Sequence, residues 1–483
     1  MPIETRQAPA PVAEREGSRA TEAPPKSAGG PSDVPLNRYT MLLMPTTRRN
    51  FIEQSVAGAL TTALAAKSSA LAAPANSAVT VGLVGAGIRG LELMQAAISD
   101  GAKIAMVCDL YDGHLRRAQE IQPNTPTTRD FNKVIENKEI QAIICATSDH
   151  WHAPVAIAAM KAGKDVYCEK PMAHTIPEAL EMAKVSRETG RLVQVGSQSL
   201  SMLSTKKARE WYDAGAIGNV YMAQCSIYRS NAIGAWRYPV PPDASPETVD
   251  WDRFQANVSK RPFDAARFFQ FRNWWEYGTG IAGDEYVHLL SRVHYILGVQ
   301  FPVSATAEGG LYKWTGDRDV PDIHNTLYDY GKFTVQVSAN LVSNWDGGEI
   351  VRLMGDKGTI EMSEDRASAV LVPYNPREDY QYPLESWPKP LKEQFIAKHK
   401  DDPIADIGLV DKQPQRKPEK FVQPREGTED HIANFLECVH SRQQPIENVQ
   451  FGLGTAVACH MANISYREKK RVFWDAQTLS LRS

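Results

Sequence analysis

The run Val79-Thr80-Val81-Gly82-Leu83-Val84-Gly85-Ala86-Gly87-Ile88-Arg89-Gly90 decides the reading of this chain. Its first half is β-branched and apolar, the pattern of a short buried parallel strand, and it runs straight into three glycines spaced two and three positions apart. A helical pattern follows from Leu91 to Ile98. Such glycines suit a tight turn, a close backbone approach to a pyrophosphate and close packing of helix on strand. The helix start adds free N–H donors and the positive end of its dipole. A glycine turn after a strand is common, so the motif needs company. Lys103-Ile104-Ala105-Met106-Val107-Cys108 reads as a second strand ending at Asp109, 19 residues past Gly90. A carboxylate there accepts from both hydroxyls of an adenosine ribose and repels a 2′-phosphate, which favours NAD over NADP. The competing reading makes Asp109 an ordinary turn residue.

Further on, Ala142-Ile143-Ile144-Cys145-Ala146 reads as a strand entering Thr147-Ser148-Asp149-His150-Trp151-His152, with a helix expected from Pro154 to Ala162. Asp165-Val166-Tyr167-Cys168 then leads into Glu169-Lys170-Pro171. Strands alternating with helices predict a doubly wound parallel sheet, an α/β Rossmann domain over residues 78–198. Ligands of such sheets bind beyond the carboxyl ends of the strands, where Thr147, His150, His152, Glu169 and Lys170 are expected.

The chain has 483 residues, 54 Lys+Arg against 57 Asp+Glu, and 42% hydrophobic residues. That length and composition suit two or three domains with a sizeable core. A net charge of −3 leaves no basic excess for a nucleic-acid backbone, so a small molecule is the expected partner. The 6 cysteines are scattered with no zinc-like spacing, so neither metal nor disulfide is expected. Residues 1–46 are rich in proline and lack a period that buries a face, and read as disordered or untranslated, with Met1, Met41 or Met44 as the start. Residues 47–73 follow: Thr47-Arg48-Arg49-Asn50-Phe51, a short apolar run, and Ala70-Leu71-Ala72. They resemble a twin-arginine export leader, too short to span a bilayer. An N-terminal amphipathic helix is the bland alternative. Such a leader implies passage through the twin-arginine translocase, a periplasmic or extracytoplasmic address, no membrane anchor after processing, and a cofactor acquired before export.

Gly85-x-Gly87-x-x-Gly90, the loop ending at His152, Glu169-Lys170-Pro171 and Asp284-Glu285-Tyr286-Val287-His288 together resemble the Gfo/Idh/MocA oxidoreductases, the family of glucose-fructose oxidoreductase and inositol dehydrogenase. The likeness runs from Val79 to about Asp475; Ser148 stands where a proline is frequent, and 373–425 is longer than the family's core needs. The resemblance implies a C-terminal domain, residues 199–483, on a large open, mostly antiparallel sheet that supports homodimers or homotetramers. It also implies NAD-dependent hydride transfer on a sugar or cyclitol. Lys170 matches the family's lysine, and Asp284 and His288 its Asp-x-x-x-His pair.

Chemically, oxidising a secondary alcohol needs a base for the hydroxyl proton and a donor for the developing alkoxide. A spacing of four sets Asp284 and His288 on one side of a helix. His288, of a residue type titrating near pH 6.5, is the natural acceptor, Asp284 an orienting group, and Lys170 the positive charge. The dull competitors are a helical surface pair and a solvated lysine. Arg237, Arg272 and Trp274, from stretches dense in rings and arginines, are candidate substrate contacts. Residues 373–425, with nine prolines, read as a long surface arm. A redox-neutral glycosidase that oxidises, eliminates, hydrates and reduces with one retained NAD is the alternative use of the same parts.

Overall fold

The computed structural model describes residues 78–344, 348–363, 367–374, 378–402, 405–406, 417–422 and 427–482. The leader and its extension therefore lie outside the described residues, as do 375–377, 403–404, 407–416 and 423–425.

Six parallel strands form the first sheet: β1 Thr80–Val84, β2 Lys103–Cys108, β3 Thr127–Thr128, β4 Ala142–Cys145, β5 Asp165–Glu169 and β6 Val193–Gly196, in the order β3-β2-β1-β4-β5-β6. β1 and β4 lie in the middle and are buried along nearly their whole length, which is why their sequences are apolar runs rather than alternations. Helices α1 Ile88–Ser99, α2 Asp112–Ile121, α3 Phe131–Glu136, α4 Asp149–Lys161 and α5 Ile176–Thr189 make the crossovers. The strand order reverses between β1 and β4, so the crevice for a ligand opens at their carboxyl ends.

α4 starts five residues before the expected Pro154. Proline favours a first turn, but here it sits inside the helix. The carbonyl that Pro154 cannot serve, that of His150, accepts instead from Asn257 Nδ2 at 2.7 Å. A side chain from a distant loop thus removes the usual objection to an internal proline.

After α6 Leu203–Asp213 the chain builds a ten-stranded mixed sheet, ordered β16-β13-β12-β11-β7-β10-β9-β8-β17-β18. Its strands are β7 Val220–Tyr228, β8 Ser304–Gly310, β9 Ile323–Asp329, β10 Thr334–Asn340, β11 Glu349–Gly355, β12 Gly358–Ser363, β13 Ser368–Pro373, β16 Glu419–Val422, β17 Val472–Asp475 and β18 Ser480–Arg482. Its described pairings are antiparallel except β7 with β10. β9 and β10 alternate buried and open positions, the mark of a sheet covered on one face. The arm is not a featureless loop: Lys389–His399 is a helix, and Glu419–Val422 pairs with β13. A short parallel pair, β14 Glu378–Asp379 with β15 Ala405–Asp406, flanks that helix in the chain.

The C-terminal helices Thr428–Ser441 and Val449–Glu468 return to the first sheet. Ile432, Phe435, Leu436 and Val439 join Val81, Leu83, Leu93 and Ile144 in one core, and Leu453, Val457 and Met461 join the core that links both sheets. No helix among the described residues is long and apolar enough to cross a membrane.

Candidate functional site

The three glycines of the first turn serve three separate needs. Gly85 has φ +92°, and a Cβ there would lie 2.4 Å from the Ala146 carbonyl oxygen. A Cβ on Gly90 would meet the Gly85 carbonyl oxygen at 1.9 Å, so α1 can only close on β1 with glycine there. Gly87 differs, since the first atom a Cβ would meet is His114 Cε1 at 3.9 Å. Backbone is bare there toward open space, beside the start of α1, and Ile88 at that start is 67% exposed. This is the cradle a pyrophosphate requires.

Asp109 stands at the end of β2 beside this turn. Its Oδ2 accepts from the Ala86 N–H at 2.7 Å, its Oδ1 from the Tyr111 N–H at 2.9 Å, and His114 Nδ1 lies 3.1 Å from Oδ1. Burial works to raise its pKa, but His114 and these donors outweigh it and hold the carboxyl ionised. A carboxylate has about four acceptor sites, so it keeps capacity for ribose hydroxyls.

Two expected cofactor contacts are engaged with each other. Arg89 Nε donates to Glu169 Oε1 at 2.7 Å, and the Lys170 N–H donates to Glu169 Oε2 at 3.0 Å. Glu169 is 5% exposed, so this carboxylate ties α1 to the end of β5. The two histidines are likewise turned to backbone. His150 Nε2 donates to the Phe254 carbonyl at 2.8 Å, and burial pushes its pKa down to about 4, which keeps the ring neutral. His152 Nδ1 lies 2.6 Å from the Pro171 carbonyl oxygen and Nε2 3.1 Å from that of Thr147, so it pins the turn after Lys170 to the end of β4.

Lys170 and Asp284, 114 positions apart, meet. Lys170 Nζ donates at 2.9 Å to both Asp284 Oδ1 and the Asp284 carbonyl, and Arg272 Nε donates to the same Oδ1 at 3.0 Å. Asp284 is 5% exposed. Burial alone would raise its pKa; the Lys170 and Arg272 charges overcome this and hold it far below the usual carboxylate range. Burial by itself would lower Lys170, and Asp284 outweighs it, so the ammonium is favoured. The trio can therefore present positive donors, while Asp284 is unsuited to take a proton.

The expected regular helix carrying Asp284 and His288 begins as a π-helical turn, Ala282–Tyr286, and becomes α-helical at Val287–Leu297. Spacing rules for an α-helix therefore do not apply across the pair, and π turns of this kind recur at functional sites. His288, 9% exposed, sits in the first α-helical turn, and its carbonyl accepts from Arg292 Nε at 3.1 Å.

Of the three candidate substrate contacts, only Arg272 reaches this cluster. Arg237 pairs with Asp317, donates to the Ile233 carbonyl at 3.2 Å, and stacks 5.1 Å from the Trp314 ring centre. Trp274 lies under the Arg267 guanidinium at 3.7 Å and packs beside Trp251, Phe254 and Tyr277. Arg237 is thus taken up by the distant Trp314–Asp317 segment and Trp274 by the aromatic cluster beside Arg267, because a flat ring and a guanidinium satisfy each other as readily as they would a sugar.

Sequence reasoning missed Asp149, His174, Arg229 and Glu285. Arg229 Nη1 lies 3.1 Å from Glu285 Oε1 beside Asp284. His174 Nε2 reaches the carbonyl oxygens of Trp275 at 3.0 Å and Gly278 at 3.1 Å. Asp149 reads in sequence as an acid in the first turn of a helix, and nothing local signals its partner 130 positions away.

The family model described as "Oxidoreductase family, NAD-binding Rossmann fold" (GFO_IDH_MocA) matches residues 79–197. The chain is 27% identical over 162 residues to inositol 2-dehydrogenase of Salmonella typhimurium, covering 33% of this chain and 48% of that protein. It is 31% identical over 175 residues to alpha-N-acetylgalactosaminidase of Tannerella forsythia, covering 30% of this chain and 37% of that protein. It thus spans about half or less of the length of these curated relatives. A solved structure of levoglucosan dehydrogenase with NADH and levoglucosan shares the fold, with a TM-score of 0.58 and 16% identity, over 82% of this chain and 99% of that one.

Proposed function

We propose, from the premise that residues 79–197 are the NAD-binding domain of a Gfo/Idh/MocA oxidoreductase, that this protein is an NAD-dependent oxidoreductase acting on a hydroxyl of a sugar, cyclitol or glycoside. The observation that carries the reading is the buried Lys170–Asp284–Arg272 cluster, with Lys170 bonded to Asp284 at 2.9 Å just past the strand that ends at Glu169. Gly85, Gly87, Ile88 and Gly90 would hold the pyrophosphate at the start of α1, and Asp109 the adenosine ribose. Thr147 lines the end of β4 beside that crevice. Bound NAD supplies a hydride acceptor or donor. The Lys170 ammonium steadies the negative charge that develops on the substrate oxygen, and Asp284 holds that ammonium charged and in place. His288 takes the hydroxyl proton in the oxidative direction, a role suited to an imidazole near neutral pH.

The glycosidase reading is the second one, favoured by the likeness to a protein named alpha-N-acetylgalactosaminidase. Both predict a nucleotide that stays with the protein. Purified protein is denatured and the supernatant assayed for NAD; native protein is incubated with myo-inositol, levoglucosan and aryl glycosides while NADH absorbance and aglycone release are followed. Stoichiometric NADH supports the dehydrogenase, and aglycone release without net NADH the glycosidase. Neither signal, with no NAD released, overturns the proposal. The leader around Arg48 and Arg49 supports export through the twin-arginine translocase. Replacing both arginines with lysine should leave the protein in the cytoplasm of cells that otherwise export it.

A further inference from the structure

Thr279 uses every polar group it has. Its N–H and its hydroxyl both donate to one oxygen, Asp149 Oδ2, at 2.9 and 2.8 Å. Its carbonyl accepts from Asn463 Nδ2 at 2.8 Å and from the Gly283 N–H at 3.3 Å. Thr279 is 3% exposed and Asp149 2%, so these bonds are made away from water, where losing one leaves a polar group unpaired. Thr279 stands three residues before the π-helical turn Ala282–Tyr286 that carries Asp284. Contact between the two is tight: a Cβ on Gly283 would lie 1.9 Å from Thr279 Oγ1.

Asp149 belongs to the other half of the site. It opens α4 immediately after the Thr147-Ser148 exit of β4, the edge of the nucleotide crevice. One carboxylate therefore joins the nucleotide loop to the turn that presents Asp284 to Lys170.

We propose that Asp149 is a positioning residue: by gripping Thr279 it sets the π turn, and through it the Asp284 carboxylate against the Lys170 ammonium. The inference rests on the oxidoreductase reading for its catalytic consequence, not for its geometry. A misplacement of about 1 Å at a reacting group is enough for a rate loss of about 100-fold.

The test uses the full chain and four variants. Thr279→Val removes only the hydroxyl, Asp149→Asn keeps the size of the side chain but replaces an acceptor oxygen or its charge, and Gly283→Ala pushes on Thr279 from the opposite side. Thr279→Ser restores the hydroxyl. NAD titration by calorimetry shows whether each variant is folded and holds nucleotide. Crystal structures read the Lys170–Asp284 contact, and kcat and KM are measured with NAD and myo-inositol or levoglucosan. The expected result is a displaced Asp284 in Thr279→Val, Asp149→Asn and Gly283→Ala, kcat lower by about 100-fold with KM little changed, and wild-type behaviour in Thr279→Ser. Variants that bind NAD yet keep the Lys170–Asp284 contact overturn the proposal. If wild-type protein turns over no polyol, the oxidoreductase reading fails, and the crystallographic contact still decides the role of Asp149.

Discussion

Lys170 illustrates how a neighbour changes the chemistry of a side chain. A lysine this enclosed would lose its proton easily if burial acted alone, yet Asp284 reverses the direction and makes it a firm donor. Lys170→Met should lower kcat by at least about 100-fold while NAD affinity, measured by calorimetry, stays within an order of magnitude. Full turnover in that variant would remove Lys170 from the chemistry. In the proposed reaction Asp109 would serve the cofactor rather than the chemical step. Asp109→Ala deletes an acceptor of ribose hydroxyls and the anchor of Ala86, so NAD binding should weaken by about tenfold or more while discrimination against NADP shrinks. An unchanged NAD to NADP ratio would contradict the role given to that carboxylate.

At the scale of elements, local sequence rules held where a segment answers to its own residues and failed where a distant group took over. The glycine turn, β1, β2, β4 and β5 were legible because an apolar run and a steric requirement are local facts. The start of α4 was not, since Asn257 supplies the donor that lets Pro154 lie inside the helix. Asn257→Ala should cost about 1–3 kcal/mol, read from the denaturant midpoint; no loss would mean that water serves the His150 carbonyl equally well. The π turn at Ala282–Tyr286 was equally invisible. Just before it, Asp149, Asn463 and His174 hold residues 275–279, and those side chains come from three separate parts of the chain.

At the scale of the whole molecule, histidines buried as neutral rings should make stability depend on pH. Burial pushes His150, His431 and His460 down to about 4, and His294 and His324 to about 3. A depressed histidine binds its proton later in the folded state than in the unfolded one. The unfolded state therefore gains protons first as pH falls below about 6.5. The melting temperature should drop progressively from about pH 6.5 to about pH 4. His114 works the other way: burial lowers it, but Asp109 raises it further, so its contribution is full below about 6.5 and fades as pH climbs through the raised value. A flat melting temperature across the acid window would show that the buried rings are reached by water. Chain closure is also a property of the whole. Because Phe435 and Leu436 complete the core under β1 and α1, a chain ending before Thr428 should show no cooperative unfolding transition by circular dichroism, however intact its first sheet is in sequence.

By itself the sequence determined the parallel sheet and the glycine turn, because strand burial and the absence of a Cβ act within a few residues; Lys170 and Asp284 stood out only through the resemblance of their motifs to a known family. Tertiary structure alone decided which polar groups face one another. It turned Arg89 onto Glu169 and the rings of His150 and His152 onto carbonyls, set Arg237 against Trp314 and Asp317 and Trp274 against Arg267, and drew Arg272 to Asp284. The physical reason is that a buried polar atom takes whichever partner the fold brings within about 3 Å, and no rule of spacing along the chain says which that will be.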